Sequence, residues 1–126
     1  MPLKVLVVDD EEGLLDLTQR MLQFKCGYLT LGASDGVQAV KLYALNKPDI
    51  CILDVHLDDS KLDGIDVLRQ IKAINPQAKC IMITRITDEP TIKAAKELGA
   101  AAYLLKPLDS REWIKVVMEV AEGAHG

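Results

Sequence analysis

The 126-residue sequence has no excess of basic residues and no long apolar run. Fifteen Lys and Arg against nineteen Asp and Glu leave a formal charge of -4, which argues against direct binding to nucleic acid, because that requires basic patches. No apolar stretch approaches the roughly 18 uncharged residues of a membrane span. Residues 1–4 do not begin a signal peptide. We therefore expect a cytoplasmic protein without a membrane segment.

Residues that bind soft metals are also scarce. The three cysteines, Cys26, Cys51 and Cys80, never occur in Cys-x-x-Cys spacing, and His56 and His125 are the two histidines. The sequence therefore predicts neither a disulfide framework nor a zinc site. Since Cys51 and Cys80 lie inside apolar runs, we expect them to be small buried side chains.

Short apolar runs alternate along the chain with segments of helical periodicity. The runs are continuous and rich in Val, Ile and Leu, which is typical of strands covered on both faces. Strands are predicted at residues 3–8, 28–33 (the weakest), 50–53, 80–83 and 101–105, and helices at residues 12–25, 36–45, 65–74, 91–98 and 111–121. This alternation predicts a single α/β domain over residues 1–126, a doubly wound parallel sheet with helices on both faces.

Several residues are suited to the ends of these helices. Asp35, Asp88 and Asp109 stand where N-caps are expected, and Gly27 and Gly99 follow the first and fourth helices. These residues support the predicted helix limits.

The strong strands are followed by polar residues of different kinds. Asp9 and Asp10 follow the first strand, Asp54 the third, Thr84 the fourth and Lys106 the fifth. Because parallel strands end at the same edge of a sheet, we expect these five residues to form one cluster.

Each of these residues also has an ordinary structural interpretation. Asp9 and Glu12 have the spacing of a capping box, and Asp54 suits a strand-end turn. Thr84 is a common strand residue, and a single lysine such as Lys106 usually lies in solvent. Their coincidence at one edge favours a shared site.

The charges of the cluster indicate what it binds. Like charges 4 Å apart repel by about 4 kcal/mol at an effective dielectric constant of 20, so three carboxylates beside one ammonium require a cation. Carboxylates without imidazole or thiolate favour Mg²⁺ or Mn²⁺. A metal, the hydroxyl of Thr84 and the amine of Lys106 suit a phosphoryl group, and no glycine-rich nucleotide loop is present. Asp54 is the best nucleophile, with Asp9 and Asp10 holding the metal.

The sequence resembles the receiver domains of response regulators, the CheY-like phosphoacceptors of two-component signalling. The similarity spans nearly the whole chain. It comprises the acidic pair within residues 7–11, the segment 49–54, Asp63-Gly64, Thr84 and the segment 99–107. The resemblance implies a flavodoxin-like sheet of five parallel strands in the order 2-1-3-4-5, with five helices.

The resemblance also implies a chemical role for several residues. Asp54 is expected to accept phosphate from a phosphohistidine on a histidine kinase or phosphotransfer protein. Mg²⁺ is expected to be held by Asp10, Asp54 and the main-chain carbonyl of His56. Lys106 is expected to contact the phosphoryl group, and the bond between Lys106 and Pro107 to be cis.

Switching and output are implied in the same way. Thr84 and Tyr103 are expected to rearrange together after phosphorylation. The surface formed by the fourth helix, fifth strand and fifth helix is expected to bind an effector or a second copy of the chain, although its mixed charges also suit an ordinary solvated face. The charged residues of this output face are Lys93, Lys96, Glu97, Asp109, Arg111 and Glu112.

The sequence departs from the family pattern at two places. The loop between Asp54 and Asp63-Gly64 is two residues longer than usual and lacks proline, which leaves Asp58 and Asp59 as either further metal contacts or solvated acids. Arg85 replaces a small residue after Thr84. We hypothesise that Arg85 covers the phosphoryl group and slows its hydrolysis, the alternative being a side chain turned to solvent.

Two other functions use the same residues. One is a Mg²⁺-dependent phosphohydrolase with His56 as a proton donor, although 126 residues leave no room for a cap domain. The other is a binding module that works without phosphorylation. The leading interpretation is a phosphoacceptor that turns over no separate substrate.

Overall fold

The computed structural model describes residues 2–57, 62–84, 89–106 and 109–123. Within these ranges the chain forms one parallel sheet, as the sequence pattern predicted, in the order β2-β1-β3-β4-β5, as the family resemblance implied. The strands are β1 (Lys4–Val8), β2 (Leu29–Ala33), β3 (Ile50–Asp54), β4 (Lys79–Thr84) and β5 (Ala102–Leu105). The helices are α1 (Glu12–Met21), α2 (Gly36–Asn46), α3 (Gly64–Ile74), α4 (Glu89–Glu97) and α5 (Ser110–Ala121), and a π-helical turn (Leu22–Cys26) follows α1.

The burial of the strands agrees with their order in the sheet. Every residue of β3 is buried, and β3 lies at the centre of the sheet between β1 and β4. The weakest predicted strand, β2, has an exposed first residue, Leu29, and lies at the edge, where one side of a strand stays unpaired. The central position of β3 places its last residue, Asp54, among the ends of the other strands.

Helices cover both faces of the sheet, which explains why the strands are continuously apolar. Side chains from α2, α3 and α4, among them Tyr43, Leu68 and Ala95, pack on one face. Side chains from the π turn and α5, among them Leu22 and Trp113, pack on the other. Alternation along each strand divides its side chains between these two layers.

The capping residues that the sequence predicted lie at helix ends, where the structure describes them. The side chain of Asp35 accepts a hydrogen bond from the N–H of Gln38, and that of Asp109 accepts one from Arg111. Gly27 ends the π turn with a φ of 70°, a left-handed conformation that glycine adopts without strain. Asp88 lies outside the described residues. No helix in the described ranges combines the length and apolar character needed to cross a bilayer.

The end of the first helix differs from the prediction. Residues 22–25 were expected to continue an α-helix, but Leu22–Cys26 form a π-helical turn. The wider turn leaves Leu22 fully buried and Phe24 86% exposed. The N–H of Tyr28 bonds to the carbonyl of Leu22 at 3.3 Å. This bond closes the turn just before β2 begins, and helical periodicity alone does not predict it.

The two buried cysteines are neighbours in the sheet. Cys51 of β3 lies opposite Cys80 of β4, and both are buried and unbridged, as expected for small apolar side chains. A hydrogen bond between the two thiols and burial raise the pKa of Cys51. Both thiols therefore belong to the core.

Candidate functional site

Three acidic side chains converge at the carboxyl edge of the sheet. Val8 lies opposite Leu53 in the register of β1 and β3, so the residues that follow them, Asp9 and Asp54, are neighbours. Carboxylate oxygens of Asp9, Asp10 and Asp54 lie within 4.8 Å of one another. Asp9 and Asp54 are buried, and Asp10 is half-buried.

Lys106 brings a positive charge to this cluster from the far side of β4. Its ammonium nitrogen lies 2.9 Å from Oδ2 of Asp54 and 3.3 Å from Oδ2 of Asp9, and its side chain is 8% exposed. The main-chain N–H of Lys106 donates to the carbonyl of Thr84 at 2.8 Å. This bond extends the β4–β5 pairing by one residue and places the lysine at the edge where the aspartates lie.

Asp9 and Asp54 are held in the same way. Oδ1 of Asp54 accepts a hydrogen bond from the N–H of His56 at 3.1 Å, and Oδ1 of Asp9 accepts one from Glu11 at 2.9 Å. Each aspartate therefore accepts a hydrogen bond from the main-chain N–H two residues ahead on one oxygen, and one from the ammonium of Lys106 on the other. The capping box of Asp9 with Glu12 is not formed, because Asp9 caps the nearer N–H of Glu11.

Burial and charge act in opposite directions on the ionisable groups. Burial raises the pKa of Asp9, and the N–H of Glu11 and the charge of Lys106 only partly oppose it. Burial alone would lower the pKa of Lys106, but the hydrogen bond and charge of Asp54, together with the charge of Asp9, raise it overall. Both shifts reflect carboxylates crowded in a poorly solvated place.

The donor set suits a hard divalent cation. Three carboxylates and one ammonium leave two formal negative charges, which one divalent ion neutralises. The donors are all oxygens, the ligand type that Mg²⁺ and Mn²⁺ prefer. The residues present thus fit such an ion. The family resemblance implies a further ligand, the main-chain carbonyl of His56, and that ligand stays a prediction.

Thr84 and Tyr103 lie on the same face of the sheet. Met82 pairs with Tyr103, and Thr84 is two residues beyond Met82, so alternation places Thr84 and Tyr103 on one side. Thr84 is 1% exposed at the end of β4. The hydroxyl of Tyr103 donates to the carbonyl of Ile92 in α4 at 2.7 Å. Tyr103 thereby joins the sheet to α4.

The N-terminus of α3 also borders the site. Asp63 and Asp66 form a capping box, in which each side chain accepts from the other residue's N–H, at 2.9 and 3.2 Å. The N–H of Gly64 donates to the carbonyl of Val55, the residue after Asp54, at 2.9 Å. The sequence marks Asp63-Gly64 only as a family motif. Its contact with the end of β3 was missed, and the spacing of Asp63 and Asp66 is the signal for the cap.

Several predicted features lie outside the described residues. Arg85, the loop acids Asp58 and Asp59, and Pro107 of the expected cis bond are among them. Their proposed roles stay predictions.

The output face is exposed and carries charges of both signs. The side chains of all six predicted residues are exposed, and two large apolar residues lie in the same region, Leu105 (51% exposed) and Met118 (41% exposed). A surface of this composition is suited to a protein partner and also to water.

Comparisons with known proteins agree with this geometry. A family model described as "Response regulator receiver domain" matches residues 5–118. The chain is 41% identical over 109 residues to the alkaline phosphatase synthesis transcriptional regulatory protein PhoP of Bacillus subtilis, covering 86% of this chain and 44% of that protein. It is 34% identical to sporulation initiation phosphotransferase F of the same organism, covering 86% of each.

A solved structure supports the fold. The structure of a CheY-like response regulator receiver domain protein from Methanospirillum hungatei superimposes with a TM-score of 0.91 at 24% identity. The alignment covers 98% of this chain and 96% of that one.

Proposed function

Because the chain belongs to the response-regulator receiver family, we propose that it is a phosphoacceptor whose Asp54 receives a phosphoryl group from a phosphohistidine. The donor would be a histidine kinase or a phosphotransfer protein. The observation that carries the proposal is the position of Lys106, which contacts Asp54 and Asp9 at once within a buried acidic cluster. A lysine that contacts two anionic groups at once can pair with an incoming phosphoryl group in place of one of them.

Asp54 is favoured over Asp9 by its neighbours. Both aspartates are buried and both contact Lys106, so local bonding does not distinguish them. Asp54 lies at the end of the central strand, with β1 and its acids on one side and β4 with Thr84 on the other. A phosphoryl group on Asp54 would therefore have acids and a hydroxyl on its two flanks, whereas Asp9 follows β1, whose other neighbour is the edge strand β2.

The proposed reaction is a direct transfer. A carboxylate oxygen of Asp54 attacks phosphorus, a P–O bond forms, and the P–N bond to the donor imidazole breaks with its electron pair leaving on nitrogen, which takes a proton from water. Asp9 and Asp10, with Asp54, would hold Mg²⁺, which neutralises charge on the phosphoryl oxygens when bound. The ammonium of Lys106 would leave Asp9 and pair with the incoming phosphoryl group.

The modified aspartate would then change the surface. An acyl phosphate adds charge and acceptor oxygens at Asp54, which would draw in the hydroxyl of Thr84 and the ammonium of Lys106. Tyr103 would move with Thr84, giving up its bond to Ile92, and so alter α4. We infer that the output face binds an effector or a second copy of the chain.

The chain spans 44% of the length of PhoP, so the nature of the effector is itself a proposal. The similarity to phosphotransferase F over 86% of that protein supports an exchange of phosphoryl groups between proteins. Receiver domains are typically not enzymes with separate substrates. We propose that this one promotes only its own phosphorylation and dephosphorylation, in the cytoplasm.

Intact mass after incubation with acetyl phosphate and Mg²⁺ tests the proposal. We expect one phosphoryl adduct per chain, lost slowly, abolished by Asp54→Asn and retained in Asp16→Asn, whose exposed carboxylate lies on α1. Repeated turnover of phosphomonoesters would instead support the hydrolase. An unmodified wild-type chain would support the phosphorylation-independent binding module.

A further inference from the structure

We propose that Gly64 is a positioning residue for phosphoryl transfer to Asp54, an inference that rests on the proposed function. Gly64 is the first residue of α3 and is buried. Its lack of a side chain lets the helix rest directly on the main chain of the phosphoacceptor.

The space around Gly64 is closed by backbone atoms. A Cβ atom built on Gly64 would lie 2.7 Å from Cα of Val55 and 2.8 Å from the carbonyl carbon of Asp54, and would overlap the carbonyl oxygen of Asp54. Real Cβ atoms essentially never come within 3.0 Å of another heavy atom. Backbone at the end of a buried strand cannot rotate away as a flexible side chain can. A methyl group here therefore requires that α3 or the Asp54–Val55 peptide move.

That peptide sets the direction of the reacting carboxylate. Oδ1 of Asp54 is held by the N–H of His56, one residue beyond Val55, and Oδ2 is held by Lys106. The carbonyl of Val55 is itself held by the N–H of Gly64 at 2.9 Å. The capping box of Asp63 and Asp66 fixes the helix end that supplies this N–H. The main-chain contacts that orient the carboxylate of Asp54 therefore depend, through Val55, on the position of Gly64.

The chain offers a matched comparison in Gly36. Gly36 is the first residue of α2, follows the N-cap Asp35 and is buried, as Gly64 is in α3. A Cβ atom on Gly36 would lie 2.5 Å from the carbonyl oxygen of Leu62 and 2.9 Å from Cγ2 of Val67. The overlap is comparable, but it is with Leu62 and α3 rather than with the Asp54–Val55 peptide. Alanine at either position crowds a helix start, but only alanine at Gly64 meets the Asp54–Val55 peptide.

The test compares Gly64→Ala with Gly36→Ala in the full chain. We expect both variants to lose stability to urea, because both overpack a buried contact. The rate of adduct formation at saturating acetyl phosphate should fall about 10- to 100-fold in Gly64→Ala, since misplacement by about 1 Å has effects of this size. The rate in Gly36→Ala should stay within about twofold of wild type. Mg²⁺ should raise the urea midpoint of Gly36→Ala as in wild type, and less in Gly64→Ala.

The outcomes separate this inference from the proposed function. Equal transfer rates and equal Mg²⁺ effects in the two variants would overturn the role of Gly64, while the wild-type adduct would still support the phosphoacceptor. A wild-type chain that takes no phosphate would overturn the proposed function. In that case the Mg²⁺ effect on the urea midpoint still decides whether Gly64 positions Asp54.

A measurement on the wild-type chain covers the case in which Gly64→Ala does not fold. Titration with Mg²⁺ alone should shift the amide resonance of Gly64 more than that of Gly36, because the Gly64 N–H is bonded to the residue after Asp54. A Gly64 resonance that moves no more than that of Gly36 would overturn the inference.

Discussion

The ammonium of Lys106 lies 2.9 Å from Oδ2 of Asp54, a carboxylate 52 positions earlier in the chain. The pair is buried, and the same ammonium also contacts Asp9. A single lysine therefore neutralises part of a cluster that holds more negative than positive charge. The stability of the metal-free domain therefore depends on Lys106.

Replacing Lys106 with methionine should destabilise the metal-free domain. Loss of the ammonium leaves two buried carboxylates unpaired, and breaking a buried ion pair costs about 3 kcal/mol or more. Urea denaturation in EDTA measures the loss, and saturating Mg²⁺ should recover much of it. The control is Lys79→Met, which removes an ammonium that bonds to the carbonyl of Ala121 away from the carboxylates. A similar response of the two variants to Mg²⁺ would contradict the prediction.

Neutralising Asp9 should change how stability depends on pH. Because its pKa is raised in the folded state, folding favours the protonated form, and the stability that Asp9 contributes falls as pH rises from 3.8 through the folded pKa. Asp9→Asn removes this loss. In EDTA, the free energy of unfolding of the variant minus that of wild type should therefore increase between pH 3 and pH 7.

Mg²⁺ provides the control for Asp9→Asn. The ion should stabilise wild type more than the variant at pH 7, since the variant lacks one of the three carboxylates. A difference in unfolding free energy that is flat with pH would contradict the role assigned to burial of Asp9.

Tyr103→Phe should loosen α4. The substitution removes the hydroxyl that donates to the carbonyl of Ile92, and one such hydrogen bond contributes about 0.5–1.5 kcal/mol. Amide hydrogen exchange across α4 should accelerate. Tyr43→Phe, which removes a hydroxyl bonded to Asn75, should leave α4 exchange unchanged. If both variants accelerate α4 equally, the bond to Ile92 does not anchor the helix.

The three cysteines should differ in reactivity. Cys51 and Cys80 are buried and the pKa of Cys51 is raised, so neither should react with a maleimide in the folded state. Cys26 is half-buried, and burial raises its pKa, so it should react slowly. Mass spectrometry should find one labelled thiol in the native protein and three in urea. Native Cys26→Ser should take no label.

Local sequence pattern was sufficient to predict the strands and most of the helix limits, and the family resemblance supplied the order of the strands. Strands buried on both faces must be apolar throughout, and this property is visible in short windows of sequence. The run predicted at residues 80–83 appears as Lys79–Thr84, and the weak run at residues 28–33 as the edge strand β2. The shared edge of parallel strands likewise anticipated that Asp9, Asp10 and Asp54 would meet.

Tertiary structure decided how these groups bond to one another. Asp9 accepts a hydrogen bond from the N–H of Glu11 instead of forming a capping box with Glu12. The π turn replaces the predicted end of an α-helix, and Gly64 packs closely against the main chain at Asp54. Each depends on the positions of individual atoms, which sequence periodicity does not specify. Periodicity reports which face a residue occupies, whereas contacts of this kind are settled only when the layers pack.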